Sequence, residues 1–311
     1  MTSSEARQLR VAIHGEPLPY LTGAVEAGGG LVVGLHEEPE ALVLDHANDR
    51  AELSGVLDTT PSVRWVQLPA AGIEAYADAL AGHPDKVWTS AKGAYAKPVA
   101  EHALALTLAL LRELPTRVRA RSWAPGTGTS LHGLRAVVVG AGGVGLEIVR
   151  LLRVFDVEVD VVRRTSAPVP GARSTTTAAG LGALLPEADV VVLAAALTPG
   201  TSKLIGTAEL AAMKRSAVLV NIARGGLVDT DAVTAALAEG RIAGAGLDVT
   251  DPEPLPDGHP LWDEPRVIIT PHAADTIDMI RPLLGDRVTA NVRRFARGEE
   301  LEGLVDAAAG Y

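Results

Sequence analysis

The segment VVVGAGGVGLEIVRLL, Val137 to Leu152, carries Gly140, Gly142 and Gly145 in G-x-G-x-x-G spacing, with β-branched residues before them and a helix-like apolar pattern after them. A dinucleotide cradle needs that order. The first glycine permits the tight turn, the second lets backbone come up to a pyrophosphate, and the third lets helix and strand pack closely. Amides at the helix start would then face the phosphates. The competing reading is a bare strand–helix corner. The following strand-like run, VEVDVVRRT, ends in Arg163, Arg164 and Thr165, where an NAD site usually places a carboxylate for the ribose 2′-hydroxyl. Guanidinium groups there suit a 2′-phosphate, to which they give directed, charge-assisted hydrogen bonds. NADP(H) is therefore the expected coenzyme; NAD(H) is the alternative if both arginines are only solvated surface residues. Asp160, the nearest acid, falls inside the strand by alternation rather than at its end.

A turn of this kind is positioned by a parallel sheet covered on both faces by helices, and the chain alternates short β-branched runs with helical periodicity in two successive sets. The first predicts strands at Val11 to Ile13, Ala41 to Leu44, Val63 to Gln67 and Val87 to Thr89, with a helix-like connection at Asp49 to Leu57. The second, larger set predicts strands at Ala136 to Val139, Val157 to Val162, Asp189 to Ala194, Ala217 to Ile222, Gly244 to Val249 and Val267 to Thr270. Between the sets, PVAEHALALTLALLREL begins a helix at Pro98 that is apolar on nearly every face and must be covered on all sides. The loop SWAPGTGTSLHG, Ser122 to Gly133, then leads into the second set, and a last helix is expected from Thr276 to Arg297. The expected fold class is α/β, with two doubly wound parallel-sheet domains.

Three further segments, VNIARGGLVD, GLDVTDPEPLP and ITPHAAD, each sit where a strand runs into a loop, the end at which open parallel sheets bind ligands. With the glycine turn and VAEHALAL they form an ordered set: Ala223-Arg224-Gly225, Leu247-Asp248-Val249 with Glu253-Pro254, and Pro271-His272. On these motifs the chain resembles the D-isomer-specific 2-hydroxyacid dehydrogenase family over nearly its whole length.

The resemblance implies a catalytic set of Arg224, Glu253 and His272. Arg224 would bind the carboxylate and carbonyl of a 2-oxo acid, a task that suits a group able to give two directed hydrogen bonds and polarise the carbonyl. His272 would donate the proton in reduction, and imidazole suits this because it titrates near neutrality. Glu253 would stabilise the imidazolium and fix the ring's orientation. Asp248 would hold the nicotinamide carboxamide, its alternative role being a strand-end turn former. The implied cofactor set adds Gly143, Val144, Thr198, Ile222 and Ala223 to the glycines and arginines above. In QLPAAGIEAY the backbone amides of Ala71, Gly72 and Ile73 would meet the substrate carboxylate, against the alternative of an ordinary strand–helix turn. Lys92 resembles part of a second substrate loop, although the residues by themselves favour a solvated lysine.

The implied architecture is a Rossmann dinucleotide-binding domain over residues 97–279 and a smaller flavodoxin-like substrate domain from residues 1–96 and 280–311. The implied partners are a small 2-oxo or 2-hydroxy acid and a second copy of the chain, with the helix after Pro98 in a homodimer contact. A glyoxylate or hydroxypyruvate reductase type is expected, with D-isomer specificity. An NAD-linked dehydrogenase of another 2-hydroxy acid or related oxyanion stays open, as does a cofactor-sensing binding protein of the corepressor sort, since one fold hosts many functions. One departure stands out: Asp275 follows His272 closely, where many relatives carry small Gly or Ser residues.

Composition bounds the rest. A length of 311 residues favours two domains. With aromatics at 3% against 47% hydrophobic residues overall, the core must rest on Ala, Val, Leu and Ile. A net charge of −10 spread along the chain argues against nucleic acid, which needs a basic surface to displace counterions. The absence of cysteine excludes disulfides, thiolate metal sites and a cysteine nucleophile, and suits a reducing cytoplasm. No metal is required by the chemistry, and His14, His36, His46 and His102 lack paired ligand spacing, which leaves them structural or exposed. The most apolar segment, Ala103 to Leu111, is far shorter than the roughly 20 residues that span a bilayer, so no membrane partner is expected.

Overall fold

The computed structural model describes residues 8–15, 17–47, 50–123 and 125–306. The expected helix start at Asp49 and the last five residues of the sequence lie outside these. The chain divides into two compact units, one running to Tyr95 and resuming at Thr276, the other Ala96–Asp275.

The first unit is built from β1 (Arg10–Ile13), α1 (Pro19–Ala27), β2 (Leu31–Val32), β3 (Ala41–Val43), α2 (Leu53–Thr59), β4 (Trp65–Gln67), α3 (Ala77–Gly82) and β5 (Val87–Thr89). Its strands pair in parallel in the order β2-β1-β3-β4-β5. Strand β2 was not expected. It is two residues long and follows three consecutive glycines, so no periodicity marks it.

The second unit contains α4 (Ala96–Leu111), α5 (Leu114–Arg117), β6 (Arg135–Val139), α6 (Gly143–Arg153), β7 (Glu158–Val162), β8 (Ser174–Thr176), α7 (Leu181–Leu184), β9 (Val190–Leu193), α8 (Thr207–Ala212), β10 (Val218–Asn221), α9 (Thr230–Ala238), β11 (Gly244–Leu247) and β12 (Val267–Ile269). All seven strands are parallel, in the order β12-β11-β10-β9-β6-β7-β8. Every residue of β9 and β10 is buried, which is why they read as continuous apolar runs rather than alternating ones. Strand β8 was missed because an edge strand of sequence STT, part exposed, carries no apolar signal.

Helix α4, apolar nearly all round, packs on α6, β10 and β11 within its own unit. Gly244 and Gly246 on β11 make room for it: a Cβ on Gly246 would stand 3.0 Å from Leu106 Cβ, and one on Gly244 3.1 Å from Leu110 Cδ2. Beyond the helix, Leu114, Val118 and Trp123 are among the exposed apolar residues of this unit.

The chain then returns to the first unit as α10 (Ile277–Arg297). Buried polar groups on this helix are satisfied by other groups of the first unit, as burial requires. Arg287 donates to the carbonyls of Ser90 at 2.8 Å and Lys92 at 3.1 Å. Asn291 donates to Gln67 Oε1 at 3.0 Å and to the Glu302 carbonyl at 2.9 Å. The segment that follows pairs Leu304 antiparallel to Thr89.

Candidate active site

The second unit's strand order reverses at β6, which has β7 on one side and β9 on the other. Such a switch point is where open parallel sheets bind ligands, at the carboxyl ends. The glycine turn sits there. Gly140 has φ 108°, and a Cβ on it would stand 2.4 Å from the Ala194 carbonyl oxygen at the end of the neighbouring strand. On Gly145 a Cβ would stand 2.1 Å from the Gly140 oxygen, so helix α6 can lie this close to β6 only without a side chain. Gly142 differs: it caps α6, and a Cβ there would meet nothing within 4 Å. Two glycines are therefore used by the fold, and the third opens onto free space in front of the first-turn amides, including those of Gly143 and Val144, which have no intrahelical acceptor. That space and those donors fit a pyrophosphate.

At the end of β7, Arg163 is half-buried and Arg164 and Thr165 are exposed. Asp160 is 3% exposed and accepts hydrogen bonds from Arg173 and Ser174 on the edge-strand side. Its carboxylate is thus committed to β8, and the strand end is left to the arginines. Beyond β9, the Thr198 amide donates to Thr201 Oγ1 at 2.8 Å. Ile222 is buried at the end of β10.

Arg224 is set by Asn221, a fully buried residue with no earlier assignment: its Nδ2 donates to the Arg224 carbonyl at 2.9 Å and its Oδ1 accepts from the Ala223 amide at 3.1 Å. The Arg224 guanidinium donates to the Ala223 carbonyl at 2.7 Å. Gly225 brings this loop against the one after β11, since a Cβ on it would stand 1.9 Å from the Thr250 oxygen. Glu253 lies just beyond that contact.

His272 Nδ1 is 2.7 Å from Glu253 Oε1, and both side chains remain nearly half exposed, at 46% and 43%. The backbone of His272 is left-handed, φ 50°, a conformation that a non-glycine residue holds only when its surroundings impose it. Asp248 imposes it. The Asp248 carbonyl accepts from the His272 amide at 2.8 Å, and its carboxylate accepts from the amides of Ala273 and Ala274 at 2.8 and 3.1 Å and from Thr270 Oγ1 at 2.6 Å. Burial alone would push this carboxyl up; the neighbouring His102 together with hydrogen bonds from Thr270 and the two amides overcomes it and holds the group below the usual carboxylate range. Asp275 goes the other way. Burial pushes its carboxyl up; His272 and Arg224 pull it down and Asp248 pushes it further up, so all three charges act on one half-buried position.

The second unit thus carries Arg224, Asp248, Glu253, His272 and the glycine turn at the carboxyl ends of its parallel strands. Ala71, Gly72 and Ile73 belong to the first unit, in the loop after β4, where Ile73 is a core side chain and Ala71 is exposed. His102, read from sequence as structural or exposed, stands beside Asp248; neither its spacing nor that of Asn221 or Thr270 announced a role.

A model of the D-isomer specific 2-hydroxyacid dehydrogenase NAD binding domain matches residues 103–274. The chain is 40% identical over 260 residues, 82% of its length and 86% of the relative's, to a protein of Corynebacterium melassecola named as an uncharacterized protein in the proB 3′ region. It is 32% identical to the glyoxylate reductase of Thermofilum pendens, over 81% of this chain and 77% of that one. Among solved structures, the D-isomer specific 2-hydroxyacid dehydrogenase of Xanthobacter autotrophicus Py2, in complex with NADPH and MES, is similar with a TM-score of 0.84 at 28% identity, covering 98% of this chain and 100% of that one.

Proposed function

Because the chain belongs to the D-isomer specific 2-hydroxyacid dehydrogenase family, we propose that it reduces a small 2-oxo acid, glyoxylate or hydroxypyruvate foremost, to the D-2-hydroxy acid where a new stereocentre forms, with NADPH as preferred reductant. The observation that carries this reading is the 2.7 Å contact of His272 Nδ1 with Glu253 Oε1 beside the Arg224 loop. The glyoxylate reductase among its relatives supports the substrate class.

The nicotinamide coenzyme, when bound, supplies the hydride. Gly140, Gly142, Gly143, Val144 and Gly145 would hold its pyrophosphate through backbone amides, and Arg163, Arg164 and Thr165 its 2′-phosphate. Thr198, Ile222 and Ala223 are assigned to the coenzyme, and Asp248 to its nicotinamide carboxamide. Arg224 holds the oxo acid's carboxylate and polarises its carbonyl. In the first unit, Ala71, Gly72 and Ile73 are assigned the same carboxylate through their backbone amides. With Nδ1–H held by Glu253, the imidazolium of His272 gives its Nε2 proton to the carbonyl oxygen, and in the reverse direction the neutral ring takes it back.

Loss of NADPH absorbance with glyoxylate, hydroxypyruvate, pyruvate and phenylpyruvate tests the reading and ranks the substrates. Silence across that panel with both NADPH and NADH would overturn it. We also propose a homodimer. Its support is the exposed apolar pair Leu114 and Val118 at a groove of about 380 Å³, lined also by Leu261 and Trp262, apolar surface of the kind that a partner can cover. A monomer in sedimentation equilibrium at micromolar concentration would refute it.

A further inference from the structure

Helix α4 lies against β11 as a ladder. Leu110 faces Gly244 and Leu106 faces Gly246; one turn earlier, His102 Nε2 stands 3.5 Å from Asp248 Oδ1. Residues 102, 106 and 110 share one helix stripe, and residues 244, 246 and 248 follow the strand's two-residue repeat. The missing side chains at Gly244 and Gly246 let the helix sit low enough for His102 to reach the strand end.

The hydrogens along this contact can be assigned. A carboxylate only accepts, so the Thr270 hydroxyl, 2.6 Å from Asp248 Oδ1, spends its proton there. His102 Nε2, 3.0 Å from the same hydroxyl oxygen, must then be the donor. The relay runs from His102 Nε2–H to Thr270 Oγ1–H to Asp248 Oδ1, and each bond polarises the next. At its far end, Asp248 takes the amides of His272, Ala273 and Ala274. Three consecutive amides around a left-handed residue therefore end on one amino acid, whose carboxylate His102 orients from another element.

We propose that His102 is a positioning residue for His272: through Thr270 and Asp248 it fixes residues 272–274 and with them the direction of the imidazole. The catalytic half of this statement rests on the proton-donor reading of His272; the structural half does not.

The test uses the full chain with His102→Phe, which keeps ring volume without the donor, and His102→Gln, which keeps a side-chain N–H. In His102→Phe, amide hydrogen exchange at Ala273 and Ala274 accelerates at least about tenfold by NMR. Its kcat falls roughly ten- to a hundredfold, as expected of a misplaced catalytic group. His102→Gln restores both to within about threefold of the parent. Unchanged exchange in His102→Phe, or equal defects in the two variants, overturns the proposal. If the parent turns over no 2-oxo acid yet exchange follows this pattern, the reductase reading fails and the clamp stands. Should His102→Phe not fold, Thr270→Val cuts the same relay at its middle, with the same expectations.

Discussion

His272 Nδ1 and Glu253 Oε1 are 2.7 Å apart although 19 positions separate them in the chain. A contact this exposed contributes only about 0–1 kcal/mol to stability, and the left-handed backbone at His272 is held by Asp248 instead. The arrangement makes sense as chemistry rather than as reinforcement. Removing the ring should therefore cost rate and leave the fold alone: His272→Ala is expected to lower kcat by about 10²–10⁴-fold, the range for a lost general acid. Its thermal midpoint and NADPH affinity should stay near those of the parent. Turnover equal to the parent's would end the proton-donor assignment.

The cradle and corner readings of the glycine turn both require Gly145 and make opposite predictions at Gly142. Gly145→Val must push α6 away from β6, because a Cβ already meets the Gly140 oxygen at 2.1 Å, and it should lower the melting temperature. Gly142→Ala enters open space, so its stability should stay within about 0.5 kcal/mol of the parent. Coenzyme affinity measured by fluorescence titration should nonetheless fall. Unaltered affinity in Gly142→Ala would leave the turn as a corner only.

Arg163 sets the coenzyme choice if it meets a 2′-phosphate, since Asp160 is already bonded to Arg173 and Ser174. A hydrogen bond to a charged group contributes about 1.5–3 kcal/mol. Arg163→Ala should thus cut kcat/KM for NADPH by roughly 10–100-fold with little change for NADH. Equal losses with the two coenzymes would reject the arginine reading.

Asp248 and Asp275 should respond to pH with opposite signs. The Asp248 carboxyl is held below its ordinary range, so it contributes stability above that range that disappears as pH falls through its depressed value. Asp275 is pushed up: ionising it costs stability, a cost absent below the ordinary carboxylate range and complete once pH passes the raised value. Asp248→Asn should melt lower than the parent at neutral pH and Asp275→Asn higher, both differences closing on acidification. Each 1 kcal/mol corresponds to about 2–4 °C in a unit of this size. A thermal-shift series from acid to neutral pH reads both, and a lower midpoint for Asp275→Asn at neutral pH would contradict the sign.

Much of the fold was legible because its signals are local. The runs at Val137–Val139 and Val190–Leu193 lie in strands buried on both faces, so each residue type reports its own environment. Where a strand is short or polar, as in β2 and β8, no such report exists and both went unread. The helix after Pro98 showed its apolar character but not its cover, which α6, β10 and β11 supply.

By itself the sequence determined the alternation of strands and helices, the glycine turn, and the residue types waiting at the strand ends, because periodicity and turn chemistry act over a few neighbours. Only the tertiary structure decided which of those residues meet. His102 and Thr270 are 168 positions apart, and their contact depends on how deep α4 sits, which two side-chain-free positions on β11 determine. Asp248 likewise became the organiser of His272 through contacts that span 25 and 26 positions to Ala273 and Ala274. Packing depth is a property of facing surfaces, and a linear pattern carries only one surface at a time.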